Sequence, residues 1–175
     1  MIHTSKGELA EAFVENLLLQ RGYAVQNLNQ SRRNMPSVDL EVDGAGQPFQ
    51  VSVKSCWAAN RQLRLGTPNS LAQLPDEAFV MALLPSAKGM VVDLNSDVTR
   101  EDRAFILWII PGKVVKEEAL ATHYHYAKHH PGSARHSVMV KDKIDRNETT
   151  RSGALFQRWA QTYDSAWHLL PAPFT

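Results

Sequence analysis

The chain has 175 residues, of which 43% are apolar and 21% charged, with 9 Gly and 9 Pro. Those proportions exclude a collagen-like, low-complexity or disordered chain, and the length predicts one domain over 1–175. With 19 Lys and Arg against 18 Asp and Glu the formal charge is +1, so affinity for nucleic acid or membrane has to come from a local patch.

In chain order, Leu9, Ala12, Phe13 and Leu17 recur at helical spacing beside Leu18 and Leu19, and Gly22 is a stop signal, which predicts a helix over 6–21. An extended run starts at Tyr23, and residues 29–36 read as a polar loop. Val38, Leu40 and Val42 then alternate with Asp39, Glu41 and Asp43. After the turn-rich 43–47, Phe49, Val51 and Val53 alternate with Gln50, Ser52 and Lys54. Two half-buried strands joined by an Asp-Gly turn predict a hairpin. Residues 55–76 are mixed, with a short helix near Ser70 to Leu74. Ala78 to Leu84, Met90 to Leu94 and Ala104 to Ile110 are uniformly apolar, as expected of strands covered on both faces. A helix follows from Pro111 to about His130, broken by Pro131-Gly132. A strand is expected at His136 to Val140, a surface loop at 141–152, and a last helix from about Ser152 to Leu170. Its stripe is Phe156, Trp159, Tyr163, Ala166 and Leu170. This order predicts an α/β (α+β) protein, a sheet with helices on its faces.

The single cysteine, Cys56, permits no internal disulfide, and residues 1–8 lack the basic and apolar regions of a signal peptide. No apolar stretch approaches the ~20 residues that span a bilayer. A cytoplasmic protein without membrane contact is the expectation.

The hairpin carries the chemistry. With Asp43 facing Pro48, Asp39 faces Ser52 and Glu41 faces Gln50, and Lys54 lies diagonal to Asp39 on the same face. A carboxylate beside a lysine, backed by an apolar face, suits a divalent metal and a phosphate. Hard cations take oxygen ligands, and a lysine orients water and offsets phosphate charge. Glu8 on the first helix, Pro36 to Asp39 on a strand and Val51-Ser52-Val53-Lys54 on the next together resemble the PD-(D/E)xK nuclease superfamily, over about residues 5–55. The resemblance implies a restriction endonuclease-like core of mixed β-sheet flanked by helices, in the order helix, three-stranded meander, helix, strand. It implies a metal-dependent DNA endonuclease of restriction, repair or defence type, using Mg²⁺ or Mn²⁺. Glu8, Asp39 and Lys54 are then catalytic, and Glu8, Asp39 and the Val53 carbonyl hold the metal. Ser52 stands where the family has its second acid, so the site loses a negative charge there. Glu41, Gln50 and Ser52 are the accessory candidates. DNA is the implied partner, and a homodimer a candidate assembly, because two cuts need two sites. The alternative is an inactive nuclease-fold module that binds DNA or a protein.

Plainer roles exist for the same residues. Ser5-Lys6-Gly7-Glu8 has the form of a capping box, and Asp39 with Lys54 has that of a cross-strand ion pair. Arg32 and Arg33 precede the Asp39 strand and Arg61 and Arg64 follow the Lys54 strand, which makes them candidates for holding a phosphate backbone. His123, His125, His129 and His130 crowd one stretch, with His125 and His129 at i, i+4. They read as a solvated helix end, a weak phosphate-contacting surface or, without HExxH, an incomplete metal site. Cys56 has no evident partner for a nucleophilic role.

Overall fold

A computed structural model describes residues 5–31, 37–57, 61–85, 105–132, 136–142, 144–145 and 148–174. The expected strand at Met90 to Leu94, together with Arg32, Arg33 and Pro36, lies outside the described residues.

Helix α1 spans Lys6–Gln20 and buries Ala10, Phe13, Val14, Leu17 and Leu18. Gly22 ends it with φ at +86°, in the left-handed region where glycine is at ease. Three strands follow as an antiparallel meander: β1 (Ala24–Asn27), β2 (Leu40–Asp43) and β3 (Phe49–Ser55). Between the first two, α2 (Leu28–Ser31) puts one helical turn where a loop was expected. The hairpin register is the one the alternation predicted, with Glu41 opposite Gln50 and Leu40 opposite Val51.

Residues 55–76 hold more order than their composition signals. They contain β4 (Gln62–Gly66) as well as α3 (Pro68–Ala72), which is capped by the Thr67 side chain. Strand β5 (Phe79–Pro85) runs parallel to β3, and β6 (Phe105–Pro111) runs antiparallel to β5. The main sheet therefore has five strands in the order β1-β2-β3-β5-β6. Helix α4 (Gly112–His129) leads to β7 (Val138–Lys141), which pairs with β4 in a separate two-stranded sheet. Two residues each form β8 (Ile144–Asp145) and β9 (Glu148–Thr149), within the segment expected to be a loop. Helix α5 (Arg151–Tyr163) and a 3-10 turn at Trp167–Leu169 complete the described chain. The protein is a mixed α/β fold, a five-stranded mixed sheet flanked by helices. Among the described residues no helix is long and apolar enough to cross a membrane.

Alternation divides the core. Met81 and Leu83 of β5, with Leu107 and Ile109 of β6, join α1 and the hairpin valines on one face. Val80, Ala82 and Leu84, with Trp108 and Ile110, join α4, α5, β4 and β7 on the other. This is why β5 and β6 read as unbroken apolar runs: both faces are covered. On the second face Trp108 meets Phe156 and Trp159 edge-on, at centroid separations of 4.7 and 6.5 Å. Such pairs add about 0.5–1.5 kcal/mol each beyond burial.

The expected helix to Leu170 is corrected: α5 stops at Tyr163. Asp164 bridges to Trp108, and Ser165, with φ at 51°, donates its N–H to Leu107 O at 2.7 Å. The edge of β6 takes the backbone groups that a continuing helix would have used. The chain thereby rounds the edge, and Ala166 and Leu170 enter the first core instead of continuing the Phe156–Trp159 stripe.

The C-terminal segment then closes over the hairpin turn. Tyr23 Oη donates to Pro171 O at 2.6 Å, Ala45 N to Ala172 O at 2.8 Å and Phe174 N to Gly22 O at 3.0 Å. A Cβ on Gly44 would stand 2.3 Å from Ala172 O. Gly44→Ala is therefore expected to lower stability by about 1–3 kcal/mol, the usual range for overpacking. Thermal unfolding checks this, and an unchanged melting point would show that the C-terminal segment docks loosely.

Candidate metal and phosphate site

Asp39 sits where β2 begins, and its side chain completes the sheet there. The ladder between β2 and β3 starts at Leu40. Beyond it, the Asp39 carboxylate accepts the Val53 N–H at 2.7 Å through Oδ2. The Ser52 hydroxyl reaches the same oxygen at 3.5 Å. In an extended strand a residue's N–H and C=O project to the same side, so the Val53 carbonyl also faces the Asp39 side of β3.

The second oxygen of Asp39 leads to α1, but not through Glu8. Asn29 Nδ2 donates to Asp39 Oδ1 at 3.2 Å and to Glu11 Oε2 at 3.0 Å, so one amide spans the two carboxylates. Asn27 makes a similar tie to Glu15 at 3.3 Å. Glu8, Glu11 and Glu15 lie at i, i+3 and i+7 and share one side of α1. Packing sets the middle one against Asp39. Glu8 is exposed and serves the capping box: its carboxylate accepts Ser5 N–H at 2.6 Å while Glu8 N donates to Ser5 Oγ at 3.2 Å.

The charges record this difference. The backbone and side-chain hydrogen bonds of Ser5 pull the Glu8 carboxyl below its ordinary value. Glu11 is pushed up, first by partial burial and then by the negative charges of Asp39 and Glu8; the Asn29 bond and the positive charge of Lys54 oppose this. A carboxylate held against its preference for water, beside a second one, is the kind of arrangement found at functional sites.

Lys54 is half-buried and makes no ion pair within 4.0 Å with Asp39 or Glu11, so the simple cross-strand ion pair is absent. Its charge nevertheless acts on Glu11. Lys54 and Ser52 line a small hollow with Ser37, Gly66 and Ser70. Ser52 is 1% exposed, so its neutral side chain is enclosed. Glu41 and Gln50, two residues along, open instead into a separate cleft with Gln26, Asp43 and Glu77.

Among the described residues no three His, Cys, Asp or Glu side chains form a ready-made metal cluster. The hard donors nearest one another are the two carboxylates that Asn29 spans, with the Val53 backbone beside Asp39. Such a hard-oxygen set suits Mg²⁺, which characteristically keeps several waters and takes only one or two carboxylates. Of the basic candidates, Arg61 is engaged elsewhere, in an ion pair with Asp142 at 3.2 Å and over the Phe156 ring. Arg64 is exposed on β4. Cys56 is buried, at 4% exposure.

Comparisons with known proteins give a likeness in fold. No protein-family description and no curated protein matches the chain. Among solved structures it is similar to one titled as that of a bacterial homing endonuclease, I-Ssp6803I, with a TM-score of 0.43 and 17% identity. The match covers 94% of this chain and 88% of that one. At that level the likeness does not extend to activity.

Proposed function

We propose that the protein is a metal-dependent DNA endonuclease that hydrolyses phosphodiester bonds. The single observation that carries this reading is the carboxylate pair Asp39 and Glu11, spanned by Asn29 and set beside the Val53 backbone and Lys54. In this reading Asp39, Glu11 and the Val53 carbonyl hold Mg²⁺ or Mn²⁺, which when bound supplies Lewis-acid stabilisation of the phosphoryl charge. Lys54 orients the attacking water and offsets phosphate charge. Asn29 fixes the direction of both carboxylates, the task of an outer hydrogen-bonding partner at a metal site. Glu8, one turn before Glu11, adds negative charge at the rim while it caps α1. The attacking water forms a new P–O bond as the bond to the leaving 3′ oxygen breaks, giving a 5′-phosphate and a 3′-hydroxyl. Cutting both strands calls on two such sites, which a homodimer supplies.

Ser52 favours a second reading, a module that keeps the fold and binds DNA or a protein without cutting, because it is neutral where the resemblance puts an acid. Metal binding separates the two. The endonuclease reading expects calorimetric heat of Mg²⁺ or Mn²⁺ binding to the wild type, and nicking of supercoiled plasmid that EDTA stops. Ser52→Asp sets a carboxylate at the position now 3.5 Å from Asp39 Oδ2. It is expected to tighten metal binding about tenfold, since affinity follows ligand charge, while destabilising the metal-free protein by like-charge repulsion. The module reading expects neither heat nor nicking from the wild type, and metal binding only in Ser52→Asp.

A further inference from the structure

Two asparagines stand between α1 and the Asp39 carboxylate, and their hydrogen bonds run in series. Asn27 Nδ2 donates to Glu15 Oε2 at 3.3 Å. Asn27 Oδ1 accepts the backbone N–H of Asn29 at 3.0 Å. Asn29 Nδ2 then donates to Glu11 Oε2 at 3.0 Å and to Asp39 Oδ1 at 3.2 Å. Between the two asparagines, the Leu28 N–H donates to Asp39 O at 2.9 Å, which ties the same turn to the start of β2.

The partners dictate how each amide points. A backbone N–H only donates, so the Asn27 oxygen faces Asn29 and its nitrogen is left for Glu15. A carboxylate only accepts, so Asn29 turns its NH2 towards Glu11 and Asp39, and two hydrogens suffice for two acceptors. The Asn27 oxygen takes the N–H two residues on, the bond with which asparagine caps a first helical turn. Position 27 therefore needs one short side chain that both donates and accepts. An aspartate there would keep the cap, lose the donor and set a like charge against Glu15. Glu11 and Glu15 lie at i, i+4, so one turn of α1 holds both ends of the series.

We infer that Asn27, braced on Glu15, is the positioning residue of the Asp39 site: it sets the turn that holds the Asn29 amide between the two carboxylates. Its effect on metal affinity rests on the endonuclease reading; the hydrogen-bond series does not. Glu15 is an anchor here and not a ligand, because accepting from Asn27 requires its oxygen and not its charge. Glu11 and Asp39 repel each other, so their common direction depends on a donor fixed between them. Outer partners of this kind are typically worth 10–100-fold in metal affinity.

The test uses the full chain and two measurements: the Asn29 side-chain NH2 resonances in metal-free NMR, and Mg²⁺ binding by calorimetry. Asn27→Asp loses the donor to Glu15, and Glu15→Ala loses the acceptor on an exposed side of α1. Both are expected to move the Asn29 NH2 pair towards the positions of an amide in water, and to weaken Mg²⁺ binding about tenfold. Glu15→Gln keeps an acceptor oxygen and is expected to hold the NH2 pair and the affinity near wild type. Joining Asn27→Asp to Glu15→Gln reverses the tie, with the glutamine amide donating to the aspartate, and is expected to restore both. These NH2 shifts without Mg²⁺ heat from any form would support the positioning of Asn29 and count against the endonuclease reading alone. The assignment is overturned if the NH2 pair stays in place in Asn27→Asp and Glu15→Ala. It is equally overturned if Glu15→Gln loses as much affinity as Glu15→Ala, or if the double variant, folded by its melting curve, restores nothing.

Discussion

Asp39→Asn is expected to abolish metal-dependent nicking, by at least about 100-fold, while the protein stays folded. Losing even an outer partner of a metal ligand typically costs 10–100-fold, and here a proposed ligand itself loses its charge. The fold is expected to survive because the asparagine oxygen can still accept the Val53 N–H that Asp39 Oδ2 now takes at 2.7 Å, although its NH2 then faces Asn29 Nδ2 and loses the bond that Oδ1 accepts. Asp39→Ala behaves differently, because it removes that acceptor at the top of the β2–β3 ladder. An unsatisfied buried donor costs about 1–3 kcal/mol, which in a chain of this size lowers the melting point by roughly 2–12 °C. Plasmid nicking and thermal melts on the two variants separate chemistry from architecture. If Asp39→Asn nicks at the wild-type rate, Asp39 only ties β2 to β3 and the proposed metal site falls.

Glu11→Gln is expected to make the metal-free protein more stable at neutral pH, and to remove its response to metal. The folded protein raises the Glu11 carboxyl above its ordinary value, through burial and the neighbouring charges of Asp39 and Glu8. A raised carboxyl favours folding below its unfolded value, where it is protonated in both states, and that contribution is lost as pH rises through the folded value. At pH 7 the ionised Glu11 therefore opposes folding, and the neutral glutamine relieves it. The advantage should shrink as pH falls through the ordinary glutamate range and vanish below it. In the wild type, Mg²⁺ at about 100 times its dissociation constant is expected to add roughly 2.7 kcal/mol of stability, and Glu11→Gln to forfeit this. Glu8 has the opposite sign. Its carboxyl is lowered by Ser5, so its contribution is present at neutral pH and is lost as pH falls, and Glu8→Ala should destabilise at pH 7. Melting curves across pH, with and without Mg²⁺, read all of this. A Glu11→Gln protein that is less stable at pH 7 and still gains from Mg²⁺ would assign Glu11 a purely structural role.

Local spacing determined a good part of this molecule. The alternation over 38–43 and 49–54 was enough to set the hairpin register, to turn Leu40, Val42, Phe49, Val51 and Val53 inward, and to put Ser52 opposite Asp39. The apolar spacing in 6–21 and the glycine after it gave α1 to within one residue at its C-terminal end. Unbroken apolar runs marked β5 and β6 as strands covered on both faces. These features depend on backbone period, which a short stretch of chain carries by itself.

What the period does not carry is the choice of partner, and the tertiary structure decided that. Leu63 and Leu65 alternate visibly, yet β4 becomes a strand through β7, more than 70 residues later. The apolar stripe of α5 runs on in sequence past Tyr163, but the edge of β6 captures Asp164 and Ser165 and sends the chain to the other core. The candidate site shows the same division. Glu8, Glu11 and Glu15 are equivalent by helical spacing. Which of them meets Asp39 depends on how far along the sheet α1 packs and on where the β1–α2 turn delivers Asn29. Those distances are set by side-chain packing between segments far apart in the chain, so no local pattern could have singled out Glu11.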